Sequence, residues 1–307
     1  MDYNQQRPLA MNHLDHYLSP ESVSQLKNIE MRARLVVEGF ITGLHSSPYH
    51  GFSVEFAEHR PYNLGDTIRH IDWRVFARTD KYYIKEFEEE TNLKGYIMLD
   101  ISNSMRYTSG GITKLEYAKT LAAALSYLMI KQRDAAGLAA FDDQLRQYIL
   151  PKSKISHLQS LLITLENLQP SFTTNISIAL QQMAEKIQRR GLIILISDLF
   201  DEPGKILQAL KHFRYRKHEV IVFHILDPKE ISLDFKQDIE FIDLETNEKI
   251  VTQPFHIRKA YTQLLKDQIE FYRLQCQQDF IDYQLFTTDT PYDKTLLYYL
   301  EKRRKLG

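Results

Sequence analysis

The chain has 307 residues, 43% of them hydrophobic, which is enough for one large domain or for two unequal domains. Its 39 lysine and arginine residues nearly balance 40 aspartate and glutamate residues, and the net charge of -1 excludes a global field that favours nucleic acid or acidic lipid. The lone cysteine, Cys276, excludes an internal disulfide, and no apolar run approaches the ~18 residues of a membrane span. We therefore expect a cytoplasmic protein without a direct membrane span.

Residues 1–92 predict an N-terminal α+β extension. A helix is predicted over residues 20–41, because apolar residues such as Ile29 and Val36 repeat at the spacing of one helical face. Loops and short strands rich in charged residues are predicted after this helix. We place the boundary of the extension at residue 92.

The charged stretch over residues 58–90 contains six lysine or arginine residues, eight aspartate or glutamate residues and the only tryptophan of the sequence. Acidic residues outnumber basic ones, so the stretch does not favour a nucleic-acid partner. It predicts either a polar network that fixes the loop or a partner-binding surface with an aromatic and arginine anchor. The residues on which both interpretations depend are Arg60, Asp66, Arg69, Asp72, Trp73 and Arg78.

Strand and helix patterns alternate over residues 93–307, which is typical of a mostly parallel sheet covered by helices on both faces. Strands are predicted over residues 96–99, 136–141, 145–150, 192–196, 220–226 and 283–286. Helices are predicted over residues 114–131, 155–168, 176–189, 205–213, 255–278 and 292–301. The fold class that follows is α/β, with a doubly wound, mostly parallel, six-stranded and Rossmann-like sheet.

Two hairpins are predicted within this alternation. Asp142 and Asp143 separate the second and third strands too briefly for a parallel crossover, so the third strand should lie antiparallel at the sheet edge. A second hairpin is predicted from strands over residues 239–244 and 249–251.

Side chains that carry oxygen follow two strands of the predicted sheet. Asp100, Ser102 and Ser104 follow the first strand, and Asp198 follows the fourth. The common strand order 3-2-1-4-5-6 makes these strands neighbours, and the loop before the fourth strand's helix adds Thr174. Each residue alone is more simply a helix cap, but their joint placement favours a ligand site. Oxygen ligands are those that Mg²⁺ and Ca²⁺ prefer.

The pattern of these strand-end residues resembles the metal-ion-dependent adhesion site of von Willebrand factor A domains, with the matching positions Asp100, Ser102, Ser104, Thr174 and Asp198. The resemblance implies a cofactor, Mg²⁺ or another divalent cation such as Ca²⁺ or Mn²⁺. It also implies that the serine hydroxyls bind the ion directly and that the aspartates act largely through water. Because few direct ligands are then anionic, the ion keeps an open position that favours a carboxylate of a partner protein.

Further motifs of the chain include Ile68-Arg-His-Ile-Asp-Trp73, Gly191-Leu-Ile-Ile-Leu-Ile-Ser-Asp198 and His224-Ile-Leu-Asp-Pro228. Through these motifs the wider chain, from residue 43 to residue 300, resembles the MoxR-associated domain-of-unknown-function family fifty-eight. The family usually has a small turn with glycine where this chain has Phe172-Thr173, so Thr173 is an alternative to Thr174. The resemblance implies a MoxR-type AAA+ ATPase as partner, and a role as an adaptor or co-chaperone.

The alternative function is a metal-dependent phosphohydrolase with Asp100 as nucleophile. Such enzymes of the haloacid-dehalogenase type need a second carboxylate two residues later, and this chain has Ser102 there. A serine hydroxyl is a poor general acid at pH 7. The sequence therefore favours a non-enzymatic interaction module that binds proteins offering an Asp or Glu to the metal.

Overall fold

The computed structural model describes residues 19–46, 60–61, 76–78, 80–84, 93–170, 176–235, 239–242, 249–252 and 254–306. The strands are β1 (Arg60–Pro61), β2 (Tyr83–Ile84), β3 (Lys94–Asp100), β4 (Ala135–Phe141), β5 (Leu145–Lys152), β6 (Leu192–Ser197), β7 (Glu219–Leu226), β8 (Ile239–Ile242), β9 (Lys249–Thr252) and β10 (Asp282–Thr287). The labelled α-helices are α1 (Pro20–Ser24), α2 (Ile29–Ser46), α3 (Lys114–Lys131), α4 (Ile155–Asn167), α5 (Ile176–Lys186), α6 (Pro203–Tyr215), α7 (Pro228–Ser232), α8 (Pro254–Gln278) and α9 (Tyr292–Leu306). Within these described ranges, none of the helices combines the length and the apolar character that a membrane crossing requires.

Six strands form one sheet in the order β10-β7-β6-β3-β4-β5. Neighbouring strands run parallel except β4 and β5, which pair antiparallel at the edge. Counted along the sequence, this is the predicted order 3-2-1-4-5-6, so the predicted fold class is confirmed. The second predicted hairpin is also confirmed, since β8 pairs antiparallel with β9 outside the main sheet.

The central strands are buried because helices cover both faces of the sheet. Every residue of β6 is buried, and its unbroken apolar sequence is typical of a parallel strand between two helical layers. Successive residues point to opposite faces. Ile194 therefore lies in a core with α2, α3, α4 and α9, whereas Leu195 lies in a core with α5, α6 and α8.

The prediction of one continuous helix over residues 20–41 is wrong, because two helices, α1 and α2, occupy this segment. Asn28 lies between them, and its Oδ1 accepts a hydrogen bond from the amide of Glu30 at 2.7 Å. The amide of Ile29 donates to Oε2 of Glu166 in α4 at 2.9 Å. Both contacts replace bonds of a continuous helix, and asparagine readily competes with a helix in this way.

The helices α1 and α2 share a hydrophobic core with the sheet domain. Val23 and Val36 are fully buried in the same apolar cluster as Leu121 of α3. The boundary between residues 1–92 and residues 93–307 stays a prediction, and these two helices pack across it.

Candidate functional site

The turn after β3 gathers three of the predicted ligand residues. Asp100 ends the strand, and the backbone amide of Ser102 donates to its Oδ1 at 2.9 Å. The hydroxyls of Ser102 and Ser104 lie 3.0 Å apart and share a hydrogen bond. Ser102 is buried and Ser104 is half-buried, so the turn leads from the sheet edge toward solvent.

The neighbouring strand β6 is bonded to this turn. Its register places Ile196 opposite Leu99, so the ends of the two strands adjoin, as the strand order predicts. The hydroxyl of Ser197 donates to Asp100 Oδ2 at 2.6 Å and accepts from the amide of Leu199 at 2.9 Å. Ser197 therefore fixes both the carboxyl of Asp100 and the start of the loop after β6.

Asp100 lies in an environment that disfavours its charged form. Burial, together with the nearby charge of Asp198, raises the pKa of Asp100 to about 7. The hydrogen bonds from Ser197 and Ser102 act in the opposite direction and only partly offset this rise. A cation placed beside Asp100 would stabilise its carboxylate.

Asp100, Asp198 and Glu230 form an acidic cluster, in which Asp198 has its own partners. Its Oδ2 accepts a hydrogen bond from Lys114 Nζ at 2.8 Å, and its Oδ1 accepts one from the amide of Phe200 at 3.3 Å. The same ammonium donates to Glu230 Oε1 at 2.7 Å. Burial acts against the charge of Lys114, but the carboxylates of Asp198 and Glu230 outweigh it and raise the pKa of the lysine. Lys114 is therefore an ammonium in this site.

The backbone around Asp198 is fixed by His224 of β7. Ring atom Nε2 lies 2.8 Å from the carbonyl oxygen of Asp198, and Nδ1 lies 2.6 Å from the hydroxyl of Tyr283. Burial lowers the pKa of His224 to about 4, so the ring is neutral. Because a carbonyl only accepts, Nε2 carries the hydrogen and Tyr283 donates to Nδ1. Leu199, the next residue after Asp198, adopts a left-handed φ of 55°, which costs about 1–2 kcal/mol in an L-residue.

The sequence interpretation missed Lys114 and Glu230. Lys114 is the first residue of α3, directly after the N-cap Thr113. Glu230 belongs to α7, where it forms a capping box with Asp227. The rule that selected Asp198 could have selected Glu230, because this residue follows the strand next to β6. The burial of a lysine in the first turn of a helix leaves no comparable pattern in the sequence.

The remaining predicted residues have different outcomes. Thr174 and its alternative Thr173 lie outside the described residues. Of the predicted partner-binding residues, Arg60 pairs with Ile84 through the backbone of β1 and β2, and Arg78 is exposed. The others, which the structure does not describe, are Asp66, Arg69, Asp72 and Trp73.

The residues around Asp100 fit a hard cation bound by hydroxyls. Among the described residues, no group of three or more His, Cys, Asp or Glu side chains is arranged to hold a metal ion. Ser102 and Ser104 offer two adjacent hydroxyl oxygens beside a buried carboxyl, and oxygen is the ligand that Mg²⁺ prefers. Asp198 fits less well as a direct ligand, since Lys114 already occupies its Oδ2.

Comparison with known proteins identifies relatives of unknown function. A family model described as "Protein of unknown function DUF58" matches residues 58–270. An uncharacterized protein of Mycobacterium tuberculosis is 24% identical over 244 residues, which cover 78% of this chain and 75% of the relative. An uncharacterized protein of Mycobacterium bovis has the same identity and coverage.

Solved structures that the chain resembles include two bacterial proteins and one isolated domain. The conserved hypothetical protein BatB from Bacteroides thetaiotaomicron has a TM-score of 0.47 and 21% identity, with coverage of 69% of this chain and 99% of that chain. An aerotolerance-related membrane protein from Bacteroides fragilis has a TM-score of 0.44 and 23% identity, with coverage of 68% and 99%. The SpRpn10 VWA domain has a TM-score of 0.39 and 11% identity, with coverage of 66% and 92%.

Proposed function

The chain belongs to the DUF58 family of proteins of unknown function, and we propose that it acts as a metal-dependent protein-interaction module. The observation that carries this proposal is the turn at Asp100. There a buried carboxyl and two adjacent serine hydroxyls meet at the carboxyl end of β3. In open α/β sheets, ligands bind at this edge, next to the point where the strand order reverses.

Asp100, Ser102 and Ser104 are the described residues that would hold the ion, and Thr174 is a further predicted ligand. Mg²⁺ is the expected ion, with Ca²⁺ or Mn²⁺ as alternatives. When bound, a divalent cation would supply a positive centre with an open position for a partner's carboxylate. The Ser102 amide and the Ser197 hydroxyl each hold one oxygen of Asp100, which fixes the orientation of the carboxyl.

A partner can approach this turn from the solvent side. Ser104 is half-buried, and Arg106 and Thr108, which follow it, are exposed. These residues lie in or after the one-turn 3-10 helix Asn103–Arg106. An acidic side chain of a partner can therefore approach the turn at Ser104, whereas Ser102 lies deeper, with no exposed surface.

The partner that the family resemblance implies is a MoxR-type AAA+ ATPase, with this chain as its adaptor or co-chaperone. Family membership over residues 58–270 supports this part of the proposal. Other proteins that offer an Asp or Glu fit the same chemistry. The exposed Arg78 is consistent with a second contact surface in the charged stretch.

The phosphohydrolase alternative receives less support from the same turn. The second carboxylate that such an enzyme needs two residues after the nucleophile is replaced by Ser102, whose hydroxyl shares a hydrogen bond with that of Ser104 at 3.0 Å. A serine hydroxyl is a poor general acid for a leaving group. The turn therefore offers oxygens to an ion but lacks the acid–base pair of carboxylates that this chemistry uses.

The test combines a binding measurement with a melting curve. The full chain is immobilised, and the purified MoxR-type ATPase of the same organism is passed over it in Mg²⁺ and then in EDTA. We expect affinity to fall at least about tenfold in EDTA, as when a close charge pair is broken. The melting temperature should change little, because the sheet has a complete apolar core without the ion.

A double variant, Ser102→Ala with Ser104→Ala, should lose binding in Mg²⁺ to the same extent. Its matched control is Ser126→Ala, which removes a buried serine of α3 whose hydroxyl bonds to Ala122 O at 2.8 Å. Binding that EDTA leaves undiminished would contradict the proposal. So would a metal-free protein that unfolds.

A further inference from the structure

Lys114 is a buried cation inside the acidic cluster, and the proposed metal site does not use it. Its side chain is fully buried, and its ammonium lies 2.8 Å from Asp198 Oδ2 and 2.7 Å from Glu230 Oε1. The centres of the Phe200 and Tyr107 rings lie 4.7 Å and 5.8 Å from the same nitrogen. A buried ammonium is costly unless its charge is matched, so these contacts hold it in the site.

The carboxyl groups at the ends of β3 and β6, those of Asp100 and Asp198, have hydrogen-bond donors of different charge. Asp100 accepts hydrogen bonds from a backbone amide and from the Ser197 hydroxyl, which are both uncharged donors. Asp198 is paired with the ammonium of Lys114. The positive charge is therefore supplied to the Asp198 side of the cluster.

We propose that Lys114 is a tethered cation that neutralises Asp198 and thereby weakens the binding of a divalent cation in the cluster. The inference rests on the proposed function and concerns the charge that the protein presents to the ion. Two cations that share one carboxylate repel each other at short range, and burial leaves little water to screen them. With Asp198 neutralised, the attraction for a divalent cation comes chiefly from Asp100 and the hydroxyls of Ser102 and Ser104. A partner's carboxylate then supplies the ion with negative charge that Asp198, paired with Lys114, does not supply.

The test measures the affinity for Mn²⁺ alone, from the electron paramagnetic resonance signal of the free ion. In Lys114→Met, a side chain of similar length keeps the contact with the Phe200 ring and removes the ammonium. We expect this variant to bind Mn²⁺ at least about tenfold more tightly than the wild type, the lower end of the coupling of a close charge pair. Mn²⁺ should also raise its melting temperature more than that of the wild type.

The matched control is Lys119→Met, on the same helix. Lys119 is 6% exposed, and its ammonium donates to the carbonyl oxygens of Glu166 and Leu168 at 3.1 Å and 3.3 Å. It carries the same charge but bonds outside the cluster, so its loss should leave Mn²⁺ affinity unchanged. If Lys114→Met does not fold in EDTA, the double variant Lys114→Met with Glu230→Gln replaces it. This double variant removes one positive and one negative charge, so the net charge of the cluster and its lysine is unchanged.

The outcomes separate this inference from the proposed function. Tighter Mn²⁺ binding in either Lys114 variant than in the wild type supports the tethered cation. This holds even if the wild type binds no Mn²⁺, a result that would overturn only the metal dependence of the proposed function. Affinity equal to or weaker than that of the wild type overturns the inference and leaves the metal site standing, provided that Asp100→Ala abolishes binding. Absence of binding in all proteins overturns both.

Discussion

Ser197→Ala should destabilise the protein more than a typical serine substitution. The hydroxyl of Ser197 donates to Asp100 at 2.6 Å and accepts from the amide of Leu199 at 2.9 Å. The bond to a charged carboxylate contributes about 1.5–3 kcal/mol, and a buried amide without a partner costs about 1–3 kcal/mol. We expect a loss of about 3 kcal/mol or more in the free energy of unfolding.

The assay is urea unfolding in EDTA, followed by far-UV circular dichroism at pH 8, above the pKa of about 7 of Asp100. Ser126→Ala is the control, because Ser126 is as fully buried as Ser197 but donates only to a helical carbonyl. Its loss should cost about 1 kcal/mol or less. If Ser197→Ala costs no more than the control, Ser197 does not bridge the two strand ends as described.

Two further predictions concern the histidine beside the cluster and the edge of the sheet. In the folded protein the pKa of His224 is lowered to about 4, so the ring stays neutral. In the unfolded chain this histidine binds a proton below about pH 6.5. The stability that is present above pH 6.5 is therefore lost as the pH falls toward 4. In urea unfolding between pH 7 and pH 5, the wild type should lose about 2 kcal/mol relative to His224→Gln, because the raised pKa of Asp100 acts in the opposite direction in both proteins and cancels in the comparison. Equal pH dependence in both proteins would exclude this role. Gly137→Ala should lower stability by about 1–3 kcal/mol, because its Cβ would lie 2.7 Å from Ile149 O. Thermal melting of both glycine variants checks this. Gly204→Ala, with no atom within 4 Å of the added carbon, should be neutral or slightly stabilising, and equal melting temperatures of the two variants would contradict the close approach of β5 to β4.

Most of the sheet could be predicted because short segments of the sequence indicate each strand and each link between strands. The unbroken apolar sequence of β6 indicates a strand buried on both faces, and the short link between β4 and β5 allows only a hairpin. The break between α1 and α2 has one local signal, the side chain of Asn28. The other contact at the break joins Ile29 to Glu166, 137 residues away, and could not be predicted from the local sequence.

The part of the candidate site that lies at the ends of strands could be predicted from the sequence. Asp100 and Asp198 follow strands that the common α/β order makes neighbours, and the structure places those strand ends together. Lys114 was not predictable, because a lysine in the first turn of a helix is usually solvated. Its burial follows from carboxylates 84 and 116 residues away, which meet it only in the folded chain.

The distance in sequence between β3 and β6 also determines when the cluster can form during synthesis. Asp100 and its partner Ser197 are 97 residues apart. A ribosome that adds about 5–20 residues per second completes the second partner about 5–20 s after the first. Until then β3 has only β4 as a neighbour, and its other edge is open to pairing with foreign strands. The nascent chain therefore passes through an interval in which one edge of β3 is unpaired and its acidic cluster does not yet exist.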